Sequence, residues 1–151
     1  MDECACFAIQ QGARASRSTI KYFRHNDMDH LESLLLAQQK VDALNPRKAK
    51  VVRKFIVVEG IYTNTGAVVP IDVILRLKFA YKVRVFLDES NSFGVLGKNG
   101  RGVTEHFDVP AEDVDLISAE LERAIGSVGG FCAGSTYVID HQDRVRECCR
   151  S

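Results

Sequence analysis

Two short apolar runs, each followed by an acidic residue, constrain the fold of this chain most strongly. Residues 55–58 (FIVV) lead into Glu59, and residues 83–87 (VRVFL) lead into Asp88. A continuous apolar run of this length is typical of a strand buried in a parallel sheet. Residues 71–82, between the two runs, have the length and apolar spacing of a helix. The segment therefore predicts a βαβ unit.

The rest of the chain extends this unit into a larger α/β sheet. Helices are predicted over residues 3–16 and from residue 28 to about residue 44, and strands over 19–24, 114–118 and 129–133. Asn26 is the predicted N-cap of the second helix, with Asp29 in its first turn. The basic run 47–53 predicts an exposed connection. The pattern predicts a three-layer α/β fold, with a mostly parallel sheet and helices on both faces.

Composition excludes several classes of protein. The chain has 151 residues, the length of one ordinary domain, and its 20 basic and 20 acidic residues cancel. A neutral chain gives no indication of a nucleic-acid partner. No apolar run approaches the roughly 20 residues that span a bilayer. An odd number of cysteines without metal-ligand spacing favours reduced thiols and no metal site. The cysteines are Cys4, Cys6, Cys132, Cys148 and Cys149.

The strand-end acids are candidates for a site, because open α/β sheets bind ligands at the carboxyl ends of their strands. A lone acid at such a position is more often a cap or a salt-bridge partner, and this alternative stays open for Glu59 and Asp88. Asp88 is followed by a loop that contains Gly97, Gly100 and Gly102. The loop GVLGKNGRG matches neither common phosphate-binding glycine pattern. We expect a shaped turn that presents a side chain to an anion or to a partner.

Three longer segments carry a family resemblance. EGIYTNTGAVVP, LDESNSFGVLGKNGRGVTEHF and DLISAELERAIGSVGGFCAG resemble the α-oxoamine synthases. These are pyridoxal-phosphate enzymes of the fold-type-I aminotransferase class, which condense an amino acid with an acyl-CoA. Within that family, ACFAIQQG and NPRKAKVVRKFIVVEG resemble the long-chain-base-1-type subunit of serine palmitoyltransferase. The resemblance implies a partial large domain over residues 1–142 and a divergent tail over 143–151.

The resemblance also assigns cofactor positions to individual residues. Asp88 occupies the position of the aspartate that keeps the pyridine nitrogen protonated. Asn91 stands where catalytic members have a histidine, and Cys6 stands where another histidine stacks on the ring. Arg123 falls in the slot of the Schiff-base lysine, and a permanently protonated guanidinium cannot form that bond. These positions therefore read as the remnant of a cofactor site.

The phosphate side of the implied site is altered as well. Glu120 and Glu122 replace hydroxyl-bearing residues, and two carboxylates would repel a phosphate dianion. The lysines of the chain lie outside the Schiff-base slot; they are Lys21, Lys40, Lys48, Lys50, Lys54, Lys78, Lys82 and Lys98. We therefore expect no catalytic residue and no covalently bound pyridoxal phosphate on this chain alone.

The resemblance then implies the noncatalytic subunit of serine palmitoyltransferase, or a fragment of it. A lysine-bearing second subunit would hold the cofactor covalently in a heterodimer at the cytosolic face of the endoplasmic reticulum membrane. Membrane association would come through regions missing from this chain, since family members are about three times longer. The alternatives are an independent pyridoxal-phosphate acyltransferase and a truncated copy without function.

Within such a heterodimer, we expect the loop around Arg101 to support the partner's site, with a solvated loop charge as the alternative. Cys6 would lie near the interface, although a small buried core residue is the more ordinary interpretation. His106 and His141 follow acidic residues and are predicted to be surface or capping residues.

Overall fold

Four strands form one mixed sheet in the structure, a computed structural model that describes residues 1–136 and 139. The strands are β1 (Phe55–Glu59), β2 (Arg84–Asp88), β3 (Leu116–Glu120) and β4 (Gly130–Gly134), in the order β1-β2-β3-β4. The first two pairings are parallel and the third is antiparallel. The predicted mostly parallel α/β sheet is thus confirmed. His141, Cys148, Cys149 and the predicted tail 143–151 lie outside the described residues.

Five helices of the described chain connect or flank these strands. They are α1 (Phe7–Ala15), α2 (Met28–Leu44), α3 (Pro46–Val51), α4 (Ile71–Tyr81) and α5 (Val103–His106), with a 3-10 turn at Ala111–Asp113. The helix α4 completes the predicted βαβ unit between β1 and β2. It ends at Tyr81, because the next residue, Lys82, has a φ of 52° in the left-handed region and breaks the helical repeat.

The hydrophobic core lies between one face of the sheet and the helices α2 and α4. Register places Val58 beside Leu87, and both side chains are fully buried in one cluster with Ile74 of α4. Side chains alternate between the two faces of a strand, so Glu59 projects from the face opposite Val58. On that second face, the Glu59 carboxylate accepts a hydrogen bond from the backbone N–H of Cys6, the residue before α1. The sheet therefore presents its strand-end acids away from the main core.

The second helix runs from Met28 to Leu44 as predicted, but its cap is Asp27 rather than Asn26. The Asp27 carboxylate accepts a hydrogen bond from the backbone N–H of His30 at 2.8 Å. Asn26 instead adopts a φ of 50° and donates its side-chain amide to the carbonyl of Val68. A residue in the left-handed region cannot hold the extended conformation that an N-cap requires.

Other predicted boundaries differ from those in the structure. The first helix covers Phe7–Ala15, because residues 3 and 4 form a turn. Residues 19–24 form only the isolated parallel bridge between Asp2 and Phe23, since the partner backbone turns away directly after Asp2. The exposed connection 47–53 contains α3, and the third strand begins two residues late because the 3-10 turn precedes it.

Candidate functional site

The carboxyl ends of β1 and β2 bring together the residues assigned to the remnant cofactor site. Glu59 is only 2% exposed. One of its carboxylate oxygens accepts from the backbone N–H of Cys6 at 2.5 Å. The other accepts from the N–H of Thr63 at 3.0 Å and from its hydroxyl at 2.9 Å. Glu59 is therefore a cap that ties the start of α1 to the loop after β1.

Asn91 extends the same network from the loop after β2. Its side-chain amide donates to the hydroxyl oxygen of Thr63 at 2.8 Å and to the carbonyl of Ile61 at 3.2 Å. Asp88 accepts from the backbone N–H of Ser90 at 2.8 Å. An amide at position 91 thus joins two loops by hydrogen bonds, and it cannot exchange a proton as a histidine would.

Cys6 lies close to both strand-end carboxylates, and the electrostatics of the site keep its thiol protonated. Burial raises the pKa of the Cys6 thiol first, and the negative charges of Glu59 and Asp88 raise it further. Hydrogen bonds from the first turn of α1 offset only part of this shift. A thiol with a raised pKa is a poor nucleophile at neutral pH. Cys6 therefore contributes a small half-buried side chain to the site, and no reactive group.

Glu89 is a buried residue beside the candidate site that sequence reasoning missed. Its carboxylate is 2% exposed, and both oxygens accept from the backbone N–H of Val103 at 3.1 Å. The hydroxyl of Ser92 donates to the same carboxylate. Burial raises the Glu89 pKa, although the hydrogen bonds from Ser92 and the backbone oppose that shift. The signal in the sequence was the second acid of the Asp88-Glu89 pair, directly after a predicted buried strand.

Gly102 is required where the glycine loop passes Glu89. Its φ of 93° and ψ of −162° lie in a region that only glycine adopts readily. A Cβ atom on Gly102 would also lie 2.5 Å from a carboxylate oxygen of Glu89. The buried carboxylate and the bare backbone of Gly102 therefore hold the inner end of the loop.

Glu105 holds the outer end of the same loop. Its carboxylate accepts from the backbone N–H of Asn99 at 2.9 Å and from the N–H of Arg101 at 3.1 Å. The Asn99 side-chain amide also donates to it at 2.6 Å, and these bonds lower the pKa of Glu105. The Arg101 residue is exposed, as is His106 at the end of α5. The loop 97–102 is thus a shaped turn that holds Arg101 at the surface.

The connection between β3 and β4 contains the slot assigned to the Schiff-base lysine. Arg123 is exposed in the turn after β3. An open groove of about 550 Å³ lies along this connection and is lined by Glu120, Glu122 and residues 126–129. The backbone N–H of Glu120 donates to the hydroxyl of Ser90 at 3.1 Å, so the groove adjoins the loop after Asp88.

The residues of this groove do not fit a covalently held pyridoxal phosphate. The last lysine of the chain is Lys98, so the β3–β4 connection contains no lysine. The two carboxylates that line the groove would repel a phosphate dianion. Asp88 keeps its place at the strand end, but Cys6 is too small to cover an aromatic ring.

A second cluster, formed by Asp2, Cys4 and His25, also escaped the sequence reasoning. Its potential ligand atoms lie within 4.8 Å of one another. The Asp2 carboxylate already accepts from the N–H of Cys4 at 2.8 Å, and it lies 3.0 Å from a ring nitrogen of His25. The other ring nitrogen contacts the Thr65 hydroxyl at 3.0 Å. Hydrogen bonds therefore account for this grouping.

Sequence comparison identifies the family to which this strand-end architecture corresponds. Residues 8–149 match the profile of the family aminotransferase class I and II. The chain belongs to this family. It is 51% identical over 141 residues to long chain base biosynthesis protein 1b of Oryza sativa subsp. japonica. The aligned residues cover 93% of this chain and 28% of that protein. It is 46% identical over 134 residues to serine palmitoyltransferase 1 of Dictyostelium discoideum, covering 89% and 27%.

Solved structures agree with this placement. The serine palmitoyltransferase of Sphingomonas wittichii superposes with a TM-score of 0.75 at 28% identity, over 89% of this chain and 31% of that one. A serine palmitoyltransferase with a pyridoxal-phosphate internal aldimine gives a TM-score of 0.74 at 27% identity, over 89% and 31%. The family resemblance carried by the sequence motifs is thus confirmed. The predicted fold-type-I architecture is confirmed as well. This member of the class I and II family spans less than a third of the length of these relatives.

No helix within residues 1–136 has the length and hydropathy needed to cross a membrane.

Proposed function

We propose that this chain serves as the noncatalytic subunit, or part of it, of a serine C-palmitoyltransferase. The complex would condense serine with palmitoyl-CoA, the reaction that begins sphingolipid long-chain-base biosynthesis. The observation that carries the proposal is that the β3–β4 connection contains no lysine. The resemblance puts Arg123 at the position of the Schiff-base lysine there, and Glu120 and Glu122 line the adjoining groove. The subunit-1 names of the relatives support the same conclusion.

The role of this chain would be to complete the site of a lysine-bearing second subunit. The loop 97–102 is held at both ends, by Glu89 inside and Glu105 outside, so it reaches a partner without having to be ordered first. Preorganised loops bind with a smaller loss of conformational entropy. Arg101 would then face an anionic group in the partner's site, and its backbone would be positioned by Glu105.

The cofactor would belong to the second subunit. Pyridoxal phosphate needs a lysine for its covalent attachment, and the heterodimer supplies it from the partner. Asp88, Asn91 and Cys6 would remain as a structural remnant of that site, with Cys6 bonded to Glu59, Asn91 to Thr63 and Asp88 to Ser90. The division into a large-domain part over 1–142 and a tail over 143–151 belongs to this proposal. So do the location at the endoplasmic reticulum and anchoring by regions outside this chain.

Co-expression with a lysine-bearing second subunit tests the proposal. We expect the two chains to co-purify and palmitoyltransferase activity to appear only in the pair. Arg101→Gln should lower that activity while leaving co-purification intact. The matched control is Lys98→Gln, which removes an equal charge from the same loop. Failure of the chains to associate would overturn the subunit role for this chain and favour a copy without function.

Borohydride reduction of the isolated chain with added pyridoxal phosphate tests the alternative that this chain is an independent acyltransferase. An independent acyltransferase requires a covalent adduct on this chain alone, at a single lysine. We expect no site-specific adduct, because the Schiff-base slot holds Arg123 and the lysines lie on other elements or on the exposed loop at Lys98. A stoichiometric adduct together with activity of the isolated chain would overturn the proposal.

A further inference from the structure

The end of α2, the helix α3 and the start of β1 form a surface rich in exposed apolar side chains. We call residues 44–55 the α3 surface. Leu44 is 79% exposed and Val51 is 78% exposed, while Val52 and Phe55 are 47% and 44% exposed. The helix α3 has no buried residue. Four large apolar side chains within twelve residues exceed the single exposed apolar residues that are normal on a protein surface.

The same surface carries a strong local excess of positive charge. Five basic residues fall between Asp42 and Glu59, and no acidic residue lies between those two positions. Lys54 is engaged by an ion pair with Asp42. Lys48 and Lys50, in the last turn of α3, are exposed to solvent. The whole chain is neutral, so this excess is a property of the α3 surface and not of the composition.

Exposed apolar groups interleaved with basic ones match the requirements of a lipid headgroup region. Apolar side chains enter the boundary between headgroups and acyl chains, while Lys and Arg are attracted to anionic headgroups. An acidic protein partner would satisfy the charges, but it would leave Leu44 and Val51 without an apolar environment. We propose that the α3 surface docks this chain onto bilayers that contain anionic lipid. This contact lies flat on the membrane and is independent of the proposed subunit function.

Sedimentation of the purified full chain with vesicles tests this contact. The vesicles contain phosphatidylcholine alone or with about 30% phosphatidylserine. We expect binding to the anionic vesicles only, weakened by added salt because the attraction is screened. Lys48→Gln with Lys50→Gln should reduce the partition coefficient about thirtyfold, at about a factor of five per charge. Arg14→Gln with Lys98→Gln, a control with the same loss of charge, should have little effect.

A separate variant tests the contribution of the exposed apolar side chains to vesicle binding. Val51→Ser changes a side chain that is 78% exposed, so the fold should be retained, and circular dichroism checks this. We expect weaker binding to anionic vesicles at low and at high salt. Equal effects of the α3 and control charge variants would overturn the proposal. So would an absence of vesicle binding, or unchanged binding by Val51→Ser. Binding to polyglutamate but not to vesicles would point instead to an acidic protein partner.

Discussion

Replacement of Gly102 by alanine should destabilise the chain far more than the same change at another glycine with positive φ. Two separate penalties act at Gly102. Its φ of 93° with ψ of −162° lies in a region almost confined to glycine, which costs an alanine about 1–3 kcal/mol. The new Cβ would also lie 2.5 Å from the Glu89 carboxylate, which must then move.

The second penalty is the loss of hydrogen bonds to the Glu89 carboxylate when it moves. Moving it weakens the bonds that both its oxygens accept from the N–H of Val103 at 3.1 Å. A hydrogen bond to a charged group contributes about 1.5–3 kcal/mol, and the carboxylate stays buried after the loss. The two penalties together amount to about 4 kcal/mol. For a chain of this size, that corresponds to a fall of roughly 8–16 °C in the melting temperature.

Thermal and urea unfolding, followed by circular dichroism, measure this loss against a matched control. Gly66 has a φ of 71°, and an added Cβ would meet nothing within 4 Å. Gly66→Ala should therefore cost only the left-handed backbone penalty of about 1–2 kcal/mol. The reasoning is refuted if Gly102→Ala costs no more free energy of unfolding than Gly66→Ala.

A double-mutant cycle isolates the contact with Glu89 from the backbone strain. In the Glu89→Ala background the carboxylate is absent, so Gly102→Ala should cost only its backbone part. We expect a coupling energy of at least about 1 kcal/mol between the two positions, as for residues in direct contact. Additive effects would show that the close approach of Gly102 to Glu89 does not limit the loop.

Three further outcomes follow from the fold. Because burial raises the Glu89 pKa above 4.5, the native state binds that proton more tightly than the unfolded chain does. Stability should therefore decline as pH rises from about 4.5 through the native pKa, and Glu89→Gln should flatten that decline in urea titrations at a series of pH values. Ile74→Ala, at a fully buried position, should cost about 2–5 kcal/mol in the same assay. Asp27→Ala should cost about 1 kcal/mol, with reduced helicity by circular dichroism, whereas retained stability would contradict its capping role.

The helix boundaries show where sequence reasoning succeeds and where it fails. The apolar spacing of α2 and α4 predicted both helices almost to the residue, because each helix gathers its apolar residues on one face, where Leu31 and Ile74 join the same core. The cap of α2 was wrong by one position. Asn26 and Asp27 are both good cap residues, and the choice between them depends on the contact of Asn26 with the distant carbonyl of Val68. No local pattern encodes that contact.

In the candidate site too, some residues could be found from the sequence, while their contacts could not. The motifs were sufficient to locate Asp88, Asn91 and Cys6, and the structure places them at one edge of the sheet. Glu59 and Glu89 look alike in the sequence, as acids that follow a buried strand. In the structure, one joins α1 to the β1 loop, and the other holds the glycine loop. Their partners are 53 and 14 residues away along the chain, so only the folded backbone determines them.

The sequence by itself determined the alternation of strands and helices, the family, and the absence of any lysine after Lys98. These properties depend on apolar periodicity and residue identity, which are local. Only the tertiary structure decided which carboxylates are buried, why Gly102 must be glycine, and where α3 exposes its apolar and basic side chains. Burial, close approach and exposure are set by contacts between segments far apart in the chain. They emerge only when the chain has folded.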